Sequence, residues 1–205
     1  MRRTIVAAAA LGVACSSGPP PAPPPAPAAA AAAPAAVRPT ITVREQYYDI
    51  DGSSTGALRD QIHRLGPRDG GQSRDALTVW NLEWEYKEAP SGDGCALKDV
   101  RVTLDVAITL PRWAAPQGAA PEVVAAWRKY LEHVRQHEAG HRAIAERNAR
   151  DLTAALAALR APTCREASDS ASRLAEQIVA DGRARNRAYD VETKHGQTQG
   201  VELGP

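Results

Sequence analysis

The sequence predicts an α+β fold, a small antiparallel sheet packed on two long C-terminal helices. Alternation of period two is confined to residues 40–110. Spacing of threes and fours takes over at residue 121 and runs nearly to the end of the chain. All nine aromatic residues lie at or beyond Tyr47, whereas nine of the 16 prolines lie between Pro19 and Pro39. Only the stretch 40–205 can therefore build a core.

The chain opens Met1-Arg2-Arg3, followed by an apolar run of 11 residues, 4–14. A bilayer-spanning helix needs about 20 apolar residues, so residues 1–15 read as a bacterial secretory signal. Leu11-Gly12-Val13-Ala14-Cys15 resembles a lipoprotein signal, which makes Cys15 the expected lipidated residue. A plain cleaved signal with an incidental cysteine is the alternative. Residues 16–39 are nearly all Ala, Pro, Ser and Gly, which neither propagate a helix nor pack a core; they read as a disordered, extended tether. On this reading the domain is exported and stands off the membrane on a lipid anchor, facing the periplasm or the exterior, or else is secreted outright.

The chain carries 25 basic and 24 acidic residues. Loss of Arg2 and Arg3 with the signal leaves it close to neutral, which gives no electrostatic case for nucleic acid or a basic membrane-surface helix. With Cys15 committed to lipid, Cys95 and Cys164 remain. Two cysteines in an exported domain most often pair, so a disulfide is expected between them.

Along the domain, Ile41, Val43 and Tyr47 mark a strand over residues 40–50, and Asp51-Gly52-Ser53-Ser54 a turn with an N-cap. Leu58, Ile62 and Leu65 give a short helix over 57–65. Thr78, Trp80, Leu82, Trp84 and Tyr86 then alternate with Val79, Asn81, Glu83, Glu85 and Lys87. After the turn Pro90-Ser91-Gly92-Asp93-Gly94-Cys95, the even residues from Val100 to Leu110 alternate with Arg101, Thr103, Asp105, Ala107 and Thr109, and Pro111 ends the run. That is an antiparallel hairpin with one buried face. Trp127, Tyr130, Val134, His137, His141, Ile144, Asn148, Leu152 and Leu156 form one stripe of a helix over 121–159, with Pro121 at its first position. A break at Ala161-Pro162-Thr163 precedes a second helix over 165–189, its inner side marked by Ala171, Leu174 and Ile178.

The long helix carries His137-Glu138-Ala139-Gly140-His141, an H-E-x-x-H motif. Histidines four apart project from one face and can share one Zn²⁺. Glu138 is turned about 100° from His137, beside the metal, where it can take a proton from an activated water and pass it to a leaving amine. Gly140 permits close approach of another group. His133 reads as an outer or solvent-facing residue, because three histidines on one straight helix seldom converge on one ion. His63 reads as structural.

A third ligand has three candidates. Glu176 lies about 200° from Leu174 around the second helix, and Glu166 sits at that helix's start. His195 lies in a segment, residues 189–200, without helix or strand period; Gly196 and Gly200 would turn it sharply back over the metal. His195 is the expected ligand, with Asp190 as its hydrogen-bond partner and Tyr189 as donor to the developing oxyanion.

Tyr48-Asp49-Ile50-Asp51-Gly52, Gly94-Cys95, Leu110-Pro111-Arg112-Trp113, the motif at 137–141, Cys164, Tyr189-Asp190 and His195-Gly196 together resemble a bacterial family of predicted secreted zinc-dependent proteases, classed as a domain of unknown function. The resemblance covers residues 40–205. It implies a zincin-like metallopeptidase, with His137 and His141 as ligands and Glu138 as catalytic acid and base. The expected function is hydrolysis of peptide bonds in a protein or peptide substrate, by zinc-activated water, in the cell envelope. The alternative is a non-catalytic envelope binding module on the same scaffold, which would have no need of an acid at Glu138.

Overall fold

The computed structural model describes residues 37–204. The signal segment, Cys15 and nearly all of the tether lie outside them. The elements run β1 (Thr40–Ile50), α1 (Thr55–Leu65), β2 (Arg68–Asp69), β3 (Gln72–Ser73), β4 (Leu77–Ser91), β5 (Gly94–Trp113), α2 (Pro121–Ala158), β6 (Arg160–Ala161), α3 (Cys164–Thr193) and a 3₁₀ turn (Gln197–Gln199).

The main sheet has the order β1-β5-β4, with the short β6 against the start of β5. Its hairpin is as the alternation demands. Trp80, Leu82 and Trp84 stand opposite Val106, Leu104 and Val102, and Gly92 takes φ 59° in the tight turn between Ser91 and Gly94. The sheet is mixed rather than antiparallel throughout, because β1 runs parallel to β5, Thr40 opposite Thr103 and Ile50 opposite Trp113. Alternation reports which face a strand buries, and parallel and antiparallel neighbours bury it equally. Nor does Pro111 end the second strand, which continues to Trp113. β1 and β4 are the edges of the sheet, and a central β5 flanked on both sides accounts for the burial of every even residue from Val100 to Leu110. The stripe on β4 is less deeply covered toward its end, where Trp84 is 36% exposed.

One face of this sheet packs on α2 through Trp127, Tyr130, Val134, Leu152 and Leu156, all buried. Helix ends follow from local chemistry. Ser54 caps α1 by accepting from Ala57 N at 3.2 Å, and Pro121 opens α2. Thr163 and Glu166 form a reciprocal capping box at the start of α3. The two long helices run antiparallel, since His141 meets Asn186 while His137 meets Asp190. Close approach is enforced at Gly182, where a Cβ would stand 1.4 Å from Asn148 Nδ2. Cys95 and Cys164 are disulfide-bonded, tying the start of β5 to the first residue of α3. Beyond α3 the chain reverses through three successive left-handed residues, Lys194, His195 and Gly196, and returns along α2 with Val201 and Leu203 buried. None of the helices among the described residues is long and apolar enough to cross a membrane.

Candidate metal centre

His137 and His141 stand one turn apart in the middle of α2, both buried, with Nε2 atoms 3.3 Å from each other. The third corner comes from α3. Asp190 Oδ1 lies 3.3 Å from His137 Nε2 and 3.2 Å from His141 Nε2. Donors arranged tetrahedrally about 2.0 Å from an ion are separated by about 3.3 Å, so this triangle has the size that a single small metal ion requires.

The remaining ring nitrogens fix the protons. His141 Nδ1 faces Asn186 Oδ1 at 2.7 Å, and Asn186 is oriented by its own amide, which donates to the Gly182 carbonyl at 3.2 Å. His137 Nδ1 faces Gln199 Oε1 at 3.0 Å, while Gln199 Nε2 donates to Tyr189 Oη at 3.0 Å. Both Nδ1 atoms therefore donate to amide oxygens, and both Nε2 atoms present lone pairs toward a carboxylate oxygen. Three acceptors at such separations need positive charge between them. A proton supplies it in part: burial opposes a charge on His141, but Asp190 and Asn186 outweigh this and raise its pKa. Burial by itself would raise the pKa of Asp190, yet its contacts with the two histidine rings hold it far below the ordinary carboxylate range. A metal ion meets the same demand at all three corners, and the residues fit one.

The expected order of His195 and Asp190 is thus reversed. The triangle of donors consists of His137, His141 and Asp190. His195 is half exposed and meets Asp190 Oδ1 from outside, through Nδ1 at 3.2 Å. Arg74 Nη1 lies 3.4 Å from His195 Nε2, and a guanidinium can only donate, so Nδ1 carries the ring proton toward Asp190. His195 supports the carboxylate that it was expected to be supported by. The reversal arises because α3 continues to Thr193, which places Tyr189 and Asp190 on a helix rather than in a loop.

Tyr189 does not face the cleft as an oxyanion donor. Its ring stacks on His137 at 5.1 Å and 11° and meets His141 edge-on. Its hydroxyl points to the His137 carbonyl at 3.3 Å. The group that Gly140 admits is this same side chain, for a Cβ there would lie 2.2 Å from Tyr189 Oη. Glu166 is committed to Thr163, and its separation of 24 positions from Asp190 spans about 36 Å of helix. Glu176 is exposed and lies about 21 Å short of Asp190 along the same axis. Neither reaches the triangle.

Glu138 is buried beside the histidines. Thr78 Oγ1 on β4 donates to its Oε2 at 2.6 Å, and Oε1 has no hydrogen-bond partner among the described residues. Burial raises its pKa, opposed by the Thr78 hydroxyl and by both histidines. The triangle and Glu138 share a cleft of about 810 Å³, walled by residues 73–80, by α2 and α3, and by Gln197 and Val201 beyond α3. Tyr130 and Tyr48 hold that first wall, donating to the Asp75 carboxylate at 2.9 Å and the Asp75 carbonyl at 2.6 Å. His133 fastens the C-terminal return, with Nδ1 2.6 Å from the Gly200 carbonyl oxygen. His63 lines the cleft and is exposed.

Sequence reasoning missed Thr78, Asn186 and Gln199 as site residues and gave Asp190 the wrong part. One signal was available: Asn186 and Asp190 are four apart, the same spacing as His137 and His141, so each pair presents one face to the other.

Residues 45–196 match a bacterial protein family of unknown function, DUF922, and the chain belongs to it. No curated protein and no solved structure matches the chain.

Proposed function

We propose that this chain is a zinc-dependent peptidase of the bacterial cell envelope. The observation that carries the reading is the triangle His137, His141 and Asp190, two imidazole lone pairs and a carboxylate oxygen within 3.3 Å of one another, beside a buried glutamate in an open cleft. Two imidazoles and one carboxylate with a fourth position left free is the donor set of hydrolytic zinc sites. Zinc bound there supplies Lewis-acid polarisation of a carbonyl and of water.

The rest of the chemistry falls to the chain. Glu138 Oε2 is held by Thr78, so Oε1 is the atom that takes a proton from the attacking water and returns it to the leaving amine. Burial, which raises its pKa, suits a group that must both accept and release that proton. A peptide in the cleft lies along the edge of β4 that no strand among the described residues pairs, and residues 77–80 of that strand form part of the wall. Free backbone groups there can pair with an extended chain. Export and anchoring at Cys15 would place this activity at the membrane surface, with the membrane engaged through lipid alone and no nucleic acid involved.

Elemental analysis of the purified full chain tests the reading together with peptide cleavage. About one zinc per chain and cleavage lost in Glu138→Gln with zinc retained are expected. Iron in place of zinc, or a zinc-loaded chain that cleaves no member of a broad peptide library, overturns it; the second outcome leaves a zinc-holding binding module.

A further inference from the structure

The cleft carries four arginines: Arg59, Arg74, Arg183 and Arg187. Two are occupied by neighbours. Arg59 Nη1 lies 2.8 Å from Asp75 Oδ2, and Arg74 Nη2 lies 3.7 Å from Asp69 Oδ2. Arg183 and Arg187 make no ion pair and no side-chain hydrogen bond among the described residues, and of the cleft's acids only Glu202 is likewise without a partner.

Three exposed arginines of α2 are matched to acids at helical spacing, whereas Arg128 and Arg165, outside the cleft, have no such partner among the described residues. On α2, Arg142 and Arg150 both approach Glu146, and Arg147 approaches Asp151. On α3 the residues four before Arg183 and four after Arg187 are Val179 and Val191. Arg183 and Arg187 are each other's neighbour at i, i+4, a like-charge pair that a helix disfavours. The acid three residues beyond Arg187 is Asp190, whose carboxylate is turned to the histidines. Two unmatched guanidinium groups thus stand about 60° around α3 from the Asn186–Asp190 face, on the cleft side.

We propose that Arg183 and Arg187 bind a carboxylate of the substrate, so that the cleft selects acidic peptides. The proposal rests on the peptidase reading and adds the substrate class. Along α3, Arg187 lies about 4.5 Å and Arg183 about 10 Å before Asp190. An extended peptide advances about 3.3 Å per residue. The carboxylate recognised therefore lies one to three residues from the bond at the metal, as an Asp or Glu side chain or as the chain's own C-terminal carboxylate. Guanidinium suits either, since its planar fork meets a carboxylate with two parallel N–H donors.

The test uses the zinc-loaded full chain and dye-labelled peptides that differ only in Glu against Gln at each of the three positions on either side of one central bond, and in a free against an amidated C-terminus. Binding is read by anisotropy on Glu138→Gln, and kcat/KM on the unaltered glutamate. Carboxylate peptides are expected to bind about tenfold more tightly, as one charge-assisted contact in partial solvent would give, with the preference falling as salt rises. In Arg183→Glu/Arg187→Glu the preference should vanish or invert, while zinc content and affinity for the neutral peptide hold. The Gln set and the amide set separate a side-chain from a C-terminal carboxylate. Equal binding of charged and neutral peptides, or a preference that survives charge reversal because the carboxylate meets zinc instead, overturns the proposal. If carboxylate selectivity depends on both arginines and yet no peptide is cleaved, the peptidase reading fails while the binding assignment stands.

Discussion

Tyr189 occupies the space that any side chain at Gly140 would need: a Cβ built on Gly140 lies 2.2 Å from Tyr189 Oη and 2.4 Å from Cζ. The atoms concerned belong to a ring wedged against His137 and His141, with little freedom to yield. Gly140→Ala should therefore destabilise the chain despite the better helix propensity of alanine. Overpacking costs about 1–3 kcal/mol, against about 1 kcal/mol of propensity gained. In a Tyr189→Ala background the same substitution should become neutral or stabilising. Denaturant unfolding of the four members of this double-mutant cycle measures the coupling; additive effects would mean that the two side chains do not compete for one space.

Asp190 and His195 exchange the parts that sequence reasoning assigned them, and the two sites make opposite demands on zinc binding. Asp190→Ala removes a corner of the triangle and should abolish stoichiometric zinc. His195→Ala removes only a hydrogen bond to Asp190 Oδ1, so zinc should be retained with affinity lower by about 10- to 100-fold. Competition with a chromophoric chelator distinguishes them. Loss of zinc in His195→Ala with retention in Asp190→Ala would restore the original order.

Where sequence reasoning succeeded, the signal was periodic. The hairpin, the stripe of α2 and the pair His137 and His141 all follow from side-chain spacing, which local geometry imposes whatever the rest of the chain does. Where it failed, the information was tertiary or the period was masked. The expected antiparallel sheet misses the parallel run of β1, because the alternation of that strand is the same beside β5 in either direction. The sequence marks α3 only as far as Tyr189, because Asp190, Val191, Glu192, Thr193 and Lys194 carry no apolar stripe. That last turn is held by its caps and by the Asp190 contacts instead: Val191 is 78% exposed, and Lys194 closes the helix in a left-handed conformation. Thr78 read simply as a strand position facing the core. Its role depends on meeting a residue 60 positions away, which no local pattern encodes.

The disulfide joins residues 69 apart and so restricts a large loop in the unfolded chain. In the chain-entropy model such a crosslink stabilises by about 4 kcal/mol. Its location matters as well, since Cys95 also pairs with Ala161 of β6, and Cys164 begins the helix that carries Asp190. Reduction, or Cys95→Ser with Cys164→Ser, should lower the unfolding free energy by several kcal/mol. Thiol titration of the unreduced, denatured chain should find neither Cys95 nor Cys164 free. Two titratable thiols at those positions, with stability unchanged by reductant, would contradict the bond.

Asn186 offers the sharpest separation of metal binding from folding. Its Oδ1 accepts from His141 Nδ1 at 2.7 Å and its amide is anchored on the Gly182 carbonyl. The contact selects the ring tautomer whose Nε2 lone pair faces Asp190 and His137. Asn186→Leu keeps a similar volume on a half-buried helix face but leaves Nδ1 without an acceptor, so the ring loses both its orientation and its preferred tautomer. Zinc affinity should fall by about 10- to 100-fold, with the unfolding free energy of the metal-free chain changed by only about 1 kcal/mol. Asn186→Asp is the informative companion. A carboxylate accepts the same proton and makes the imidazole a stronger ligand, so affinity should match or exceed that of asparagine, as carboxylate–histidine pairs do at other zinc sites. The order Asp at or above Asn, and Asn well above Leu, in chelator competition is the expected result. Equal affinities in all three would show that the Nδ1 contact does not set the tautomer, and that the triangle is held by the packing of α2 on α3 alone.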